Sequence, residues 1–383
     1  MLTGTHRNSL QEQVVYGRPA LEVVAELAKA YGARRLMITT TASLAGPDGL
    51  ATRLRDGLGD LCVGLFSAIA AHSPREAVIA GAMEARRLDA DLLLAVGGGS
   101  AIDATKVMQI ALWAGLDRTD QLDAYRAGSA QAAALSPGVR MLAVPTTLSA
   151  AEFTPFGGVT DIARRAKEGY AHRLLAPRAV VLDPAMTLET LPRLWFSTGM
   201  KAVDHAVEQL CNPLRTPYAD ALASDGLKRL AASMPATQAA PTDMDARLDC
   251  QIGMWLAMSG AGAGRGLGAS HAIGHVLGGG YGVPHGLTSC IALPAVLKWN
   301  EGVADDRQAL VAAMMGHPDL SASQAVRALA TSLGLPTTLA AVGVGPDQFQ
   351  AIAEHTLHDR GIRSNPRPIT SAADVVEILK LAA

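Results

Sequence analysis

The chain runs to 383 residues, of which 49% are apolar and 18% charged, with a net charge of −2. That balance supplies a large core, suggests two domains of ordinary size and excludes disorder. No basic patch stands out, which argues against nucleic acid or an anionic membrane surface as a partner.

Four scattered cysteines (Cys62, Cys211, Cys250 and Cys290) form no C-x-x-C pair. They read as free thiols of a reducing compartment. The N-terminus is polar, and no apolar run approaches the roughly 20 residues of a membrane span, so a cytoplasmic protein is expected.

In chain order, a helix is predicted over Ala20–Tyr31, followed by a strand beginning at Arg35 and a weaker one over Leu61–Phe66. Asp91–Val96 is almost wholly apolar, Arg140–Pro145 resembles it, and Ala179–Pro184 closes the series. Strands apolar on both faces and alternating with helices indicate a parallel sheet covered on both sides. From Thr187 onward the pattern is helical, with breaks expected at Pro192, at Pro213 with Pro217, and over Ser233–Pro241. The boundary is therefore placed near residue 185, giving an α/β domain over 1–185 and an all-helical domain over 186–383.

Gly97, Gly98, Gly99 and Ser100 follow the strand Asp91–Val96 and precede a helix. Glycines at the carboxyl end of a parallel strand let backbone amides approach a pyrophosphate, and the helix N-terminus adds positive potential. Ser100 or Asp103 could equally cap that helix, and Lys106, one turn in, could reach a phosphate or a ribose hydroxyl. Thr146 and Thr147, at the end of the strand from Arg140, project into the same crevice. Thr39, at the end of the strand from Arg35, falls where an adenine ribose would lie. No acidic residue stands there to choose between NADH and NADPH.

Three histidines cluster at His271, His275 and His285. His271 and His275, four apart, share a helix face, and so do Lys201 and His205. A pocket is expected from that concentration. The remaining histidines read as surface or packing residues.

The segments Gly97-Gly-Gly-Ser-Ala-Ile-Asp-Ala-Thr-Lys106, Val144-Pro-Thr-Thr147, Leu182-Asp-Pro184, His271-x-x-x-His275 and Pro284-His-Gly286 resemble the iron-containing alcohol dehydrogenase superfamily in order and spacing. Leu148–Thr154, Gly157–Asp161, Gly268–Leu277, Thr288–Asn300 and Arg363–Pro368 are similar to its maleylacetate reductase branch in particular. Tyr281-Gly282, just before Val283-Pro284-His285, departs from that branch. The resemblance implies an α/β domain of Rossmann type, a helical domain in a dehydroquinate synthase-like fold, an active site in the cleft between them, and a homodimer.

In metal-dependent members an Asp and three His bind one cation; carried over, the His ligands fall on His205, His271 and His285, and the Asp position on Lys201. An ammonium offers no lone pair and repels a dication. The implied enzyme is a metal-free NADH- or NADPH-dependent reductase of maleylacetate, or a similar enone acid, in aromatic-compound degradation. Lys201 with His205, His271 or His285 would stabilise the enolate oxygen, and His275 or His271 would donate the proton. Arg265 and Arg363, with Arg367, are candidates for the substrate carboxylates. The alternatives are a metal-dependent alcohol dehydrogenase, a lyase, a reductase of another conjugated ketone and a nucleotide-binding module.

Overall fold

The computed structural model describes residues 11–164, 166–261 and 267–383. The chain falls into two compact units, one ending at Thr190 and the other starting its main stretch at Leu191.

In the first unit, six parallel strands stand in the order β1-β8-β5-β4-β2-β3. They are β1 (Gln13–Tyr16), β2 (Leu36–Thr39), β3 (Cys62–Phe66), β4 (Leu92–Gly97), β5 (Arg140–Pro145) and β8 (Ala179–Leu182). The helices of this unit are α1 (Ala20–Ala30), α2 (Leu50–Leu58), α3 (Arg75–Arg87), α4 (Gly99–Trp113) and the single turn α5 (Ala130–Ala133). Leu36, Ile38, Leu92, Leu94, Val96, Leu142 and Val144 pack under α1 and α2. Met37, Leu93, Ala95, Met141 and Ala143, on the opposite face, are also fully buried. That two-sided burial is why these strands read as unbroken apolar runs.

Three strands carry no signal in the hydrophobic pattern. The four-residue β1 lies on the sheet edge beside β8, with Gln13 and Tyr16 exposed, so it shows little apolar character. The strands β6 (Phe156–Asp161) and β7 (Ala166–Ala171) pair antiparallel as a separate hairpin. Their inward positions include Asp161 and Glu168, both ion-paired to buried Arg75. A hydrophobic period cannot register a face buried through charge pairs. In the Leu182-Asp-Pro184 segment, Asp183 caps α1 by accepting from the Ala20 N–H at 2.7 Å, and it also accepts from the Ala185 N–H at 2.9 Å.

The second unit contains α6 (Pro192–Cys211), α7 (Pro217–Ala239), α8 (Met244–Ala261), α9 (Ala269–Tyr281), α10 (His285–Trp299), α11 (Asp305–Met314), α12 (Ala322–Ser332), α13 (Phe349–Thr356) and α14 (Ala372–Leu381). Pro192 and Pro217 sit in the first turns of their helices, where a missing N–H costs nothing. The break expected over Ser233–Pro241 is displaced. The helix α7 passes through Pro235 to Ala239 because it is held along α8, where the Ser233 hydroxyl lies 3.0 Å from the Cys250 thiol. Among the described residues, no helix is long and apolar enough to cross a membrane.

Candidate functional site

The connection leaving β2 runs outward to β3, whereas that leaving β4 runs the other way to β5, so the sheet's topological switch point lies at the carboxyl ends of β2 and β4. Open α/β sheets bind ligands there. The glycine loop occupies it. Gly97 ends β4 and Gly98 stands just before α4, which has no side-chain cap, so its first-turn N–H groups remain available. Neither Ser100 nor Asp103 caps the helix. The Ser100 hydroxyl instead accepts from the His72 N–H at 3.1 Å.

Beside the loop stand two buried hydroxyls, Thr147 Oγ1 and Ser149 Oγ, with no hydrogen-bond partner among the described residues. A Cβ on Gly98 would come within 2.9 Å of Thr147 Cγ2, and one on Gly99 within 3.2 Å of Ser149 Oγ. A glycine cradle, uncapped helical amides and two orphaned hydroxyls fit a dinucleotide pyrophosphate. Thr146 is buried in the same turn, its N–H bonded to the Gly97 carbonyl at 3.0 Å.

Two expected cofactor contacts lie elsewhere. Thr39 is fully buried, its hydroxyl bonded to Thr105 Oγ1 at 2.6 Å, and faces the helix packing instead of a ribose. Lys106 is enclosed too. Its ammonium donates to the Ala151 carbonyl, to Thr154 Oγ1 at 3.1 Å and to the Phe156 carbonyl at 2.8 Å, so no donor is left over for a phosphate. Burial pushes its pKa down to about 8. Close to it, burial pushes the Glu152 carboxyl up to about 7, and neither Glu152 oxygen has a hydrogen-bond partner among the described residues.

In the helical unit, α6 and α9 bring four of the expected residues together. The rings of His205 and His271 stack with centroids 4.8 Å apart and planes 18° from parallel. The His275 ring meets His271 edge-on at 6.4 Å. The charge of half-buried Lys201 reaches both stacked rings: burial first, then the neighbouring His271 ring and Lys201, hold His205 well below the usual imidazole range. Burial likewise drives His271 down to about 4, so both rings are neutral at physiological pH.

Glu208 of α6, unassigned by sequence reasoning, organises this cluster. Its oxygens accept from the backbone N–H of Gly268 at 2.6 Å and of Ser270 at 2.7 Å, and Oε2 lies 2.8 Å from His271 Nδ1. A carboxylate thus caps the N-terminus of α9 from another helix. A Cβ on Gly268 would come within 2.8 Å of Glu208 Oε1, which explains the glycine. With Nδ1 engaged, His271 Nε2 is left buried without a partner among the described residues, as is His205 Nδ1. Asp204 receives the Ser270 hydroxyl at 2.8 Å, and burial raises both Asp204 and Glu208 to about 7.

His275 differs in kind. Its side chain is 52% exposed, and its Nδ1 lies 2.8 Å from Oδ2 of Asp359, whose other oxygen accepts from the Gly361 N–H at 2.8 Å. The bond to His275 holds the Asp359 carboxyl below its usual range. No sequence pattern pointed to Asp359, which stands 84 residues beyond its partner.

Ligand atoms of Asp204, Glu208 and His271 lie within 4.8 Å of one another. The positive charge of Lys201 acts on His271, the one ring ligand of this trio, and opposes a dication there. The expectation for His285 concerns a side chain outside the described residues, although the backbone opens α10 there. Arg265 also lies outside the described residues. Arg363 is exposed on the same short turn as Asp359. Arg367 is committed instead to Trp299, donating to its carbonyl at 2.8 Å with the guanidinium 4.3 Å from its ring centroid.

A dinucleotide cradle on a parallel sheet and a buried histidine cluster on helices define an NAD(P)H-dependent oxidoreductase. Residues 11–184 match the family described as iron-containing alcohol dehydrogenase, and residues 195–383 match the C-terminal part of the Fe-containing alcohol dehydrogenase family. The chain belongs to the iron-containing alcohol dehydrogenase family. It is 34% identical over 375 residues to maleylacetate reductase 2 of Cupriavidus pinatubonensis, covering 97% of this chain and 94% of that protein. It is 32% identical over 361 residues to a 4-hydroxybutyrate dehydrogenase of Cupriavidus necator, covering 91% and 92%. The crystal structure of maleylacetate reductase from Agrobacterium tumefaciens superposes with a TM-score of 0.84 at 27% identity, covering 100% of this chain and 98% of that one.

Proposed function

We propose that the enzyme uses NADH or NADPH to reduce the conjugated carbon–carbon double bond of maleylacetate, giving 3-oxoadipate, in the degradation of aromatic compounds, and that it does so without a metal. The observation that carries this reading is the stacked His205–His271 pair with Lys201, and no carboxylate, one helical turn before His205 on α6. Relatives named maleylacetate reductase at 31–34% identity support the choice of substrate.

When bound, the cofactor supplies a hydride to the alkene carbon β to the ketone. The negative charge then gathers on the ketone oxygen, where Lys201 contributes a full positive charge and His205 a neutral donor in a desolvated setting. Glu208, holding Nδ1 of His271, fixes which ring nitrogen faces the substrate. The proton for the neighbouring carbon comes from His275, which is solvent-accessible and backed by the Asp359 carboxylate; neutral, buried His271 is the poorer donor. Arg363 binds a substrate carboxylate. Thr147, Ser149 and the Gly98–Gly99 turn hold the pyrophosphate.

The test is NAD(P)H oxidation with maleylacetate by chelator-treated, metal-assayed protein. Metal-free turnover that Lys201→Ala lowers by roughly 100-fold or more, with cofactor affinity kept, is the expected result. A second reading, a metal-dependent dehydrogenase of a hydroxy acid, is favoured by the 4-hydroxybutyrate dehydrogenase relative. Turnover of 4-hydroxybutyrate that appears only with added iron or zinc would establish it in place of the first.

A further inference from the structure

Ala150, buried in the loop that leaves β5, has a left-handed backbone with φ 61°. A residue with a Cβ is strained there and keeps that conformation only where the chain is held on both sides. Ser149, just before it, carries one of the two orphaned hydroxyls beside the glycine cradle. Ala151, just after it, gives its carbonyl to the Lys106 ammonium.

Gly99 and Lys106 are two turns apart on α4, within about 20° of the same helix face. Side chains on a helix lean towards its N-terminus, so the long Lys106 side chain reaches back along that face towards Gly99. There the loop lies against the helix: a Cβ on Gly99 would come within 3.2 Å of Ser149 Oγ and 3.8 Å of Ala151 Cβ. Fully buried, Lys106 also donates to Thr154 Oγ1 at 3.1 Å and to the Phe156 carbonyl at 2.8 Å. At Gly157 the chain still lies on α4, where a Cβ would come within 3.2 Å of the Asp103 carbonyl. One charged donor therefore ties the loop to the helix that opens with the cradle.

We propose that Lys106 is a positioning residue for the cofactor: through the Ala151 carbonyl its ammonium fixes the strained Ala150 turn, so that Ser149 Oγ faces a pyrophosphate at Gly98–Gly99. This role rests on the pyrophosphate lying in the glycine cradle. Lys106 touches no phosphate, yet it sets where an uncommitted hydroxyl points.

Calorimetric titration with ADP-ribose, which carries the pyrophosphate and lacks the nicotinamide, tests the role in wild type, Ser149→Ala, Lys106→Met and the double variant. Ser149→Ala is expected to weaken binding about 5- to 10-fold, the loss of one hydrogen bond to a charged group. Lys106→Met weakens it by a similar factor alone, but by no more than about twofold in the Ser149→Ala background, because it acts through that hydroxyl. Thr154→Val removes one of the three acceptors and should cost about two- to threefold, again only while Ser149 is present. It decides the matter if Lys106→Met does not fold. Wild-type affinity in folded Lys106→Met, or in Thr154→Val where that variant must stand in, would overturn the positioning role and leave the cradle in place. Losses that multiply in the double variant would do the same. Unchanged affinity in Ser149→Ala would move the pyrophosphate away from Ser149 and overturn both.

Discussion

Oε2 of Glu208 on α6 lies 2.8 Å from Nδ1 of His271 on α9, and the same carboxylate accepts the N–H groups of Gly268 and Ser270 at the start of α9. One side chain therefore joins two helices and fixes the tautomer of a buried imidazole. Geometry and stability are coupled in this residue, and substitution must be read on both.

Glu208→Gln keeps the size but replaces one acceptor oxygen with a donor that faces other donors. The melting temperature is expected to fall by the equivalent of about 1–3 kcal/mol. Turnover falls by roughly 10- to 100-fold, because the ring nitrogen facing the substrate is no longer fixed. Thermal melts and steady-state kinetics on one preparation separate the two effects. A variant that melts lower yet turns over normally would assign Glu208 to capping α9 alone.

The His275–Asp359 pair makes a different prediction, since it is partly open to solvent. Asp359→Asn retains the hydrogen-bond length but removes the negative charge behind the imidazole. The maximal rate is expected to drop about 10-fold or more, with the dissociation constant for NAD(P)H unchanged by fluorescence titration. His275→Ala drops it further, and the double variant adds nothing beyond that, as two residues acting as one unit require. Additive losses would separate the two roles.

How far the chemistry could be read from the chain depends on sequence distance. Lys201 with His205, and His271 with His275, are four residues apart, and helical periodicity alone puts each pair on one face. The glycine loop was legible because an apolar strand precedes it and a helix follows. The roles of Glu208 and Asp359 leave no local pattern, because their partners lie 63 and 84 residues away. Lys106 and Thr39 misled for a related reason: a polar side chain near a binding motif looks available until packing shows its donors spent inside. The hairpin β6–β7 escaped because its buried face is partly ionic.

The pyrophosphate cradle is testable without turnover. Thr147→Val keeps the shape of the side chain and deletes an orphaned buried hydroxyl, so the protein should be as stable or slightly more so. Cofactor affinity is expected to fall about 5- to 10-fold. Gly98→Ala, whose Cβ would press on Thr147 Cγ2 at 2.9 Å, weakens binding by about tenfold or more by closing the approach to the amides. Unchanged affinity in both variants would place the pyrophosphate elsewhere.

Glu152 provides the last prediction, on pH. Burial raises its carboxyl from 4.5 to about 7, and the nearby Lys106 ammonium, itself lowered to about 8, stays charged through that interval. Between pH 4.5 and 7 an unfolded chain releases a proton that the native chain keeps. The native state therefore loses stability as pH rises through that window, by up to about 3 kcal/mol from this group. Asp204 and Glu208, also raised, act in the same direction, whereas His271, lowered from 6.5 to about 4, acts in the opposite one. The wild-type curve alone thus mixes opposing slopes. Glu152→Gln isolates one of them, because its amide does not titrate. Denaturant melts at pH 5 and pH 7.5 should show the wild type losing more stability than the variant between the two conditions. Parallel losses would mean that Glu152 ionises as it does in the unfolded chain, with its buried oxygens satisfied by water.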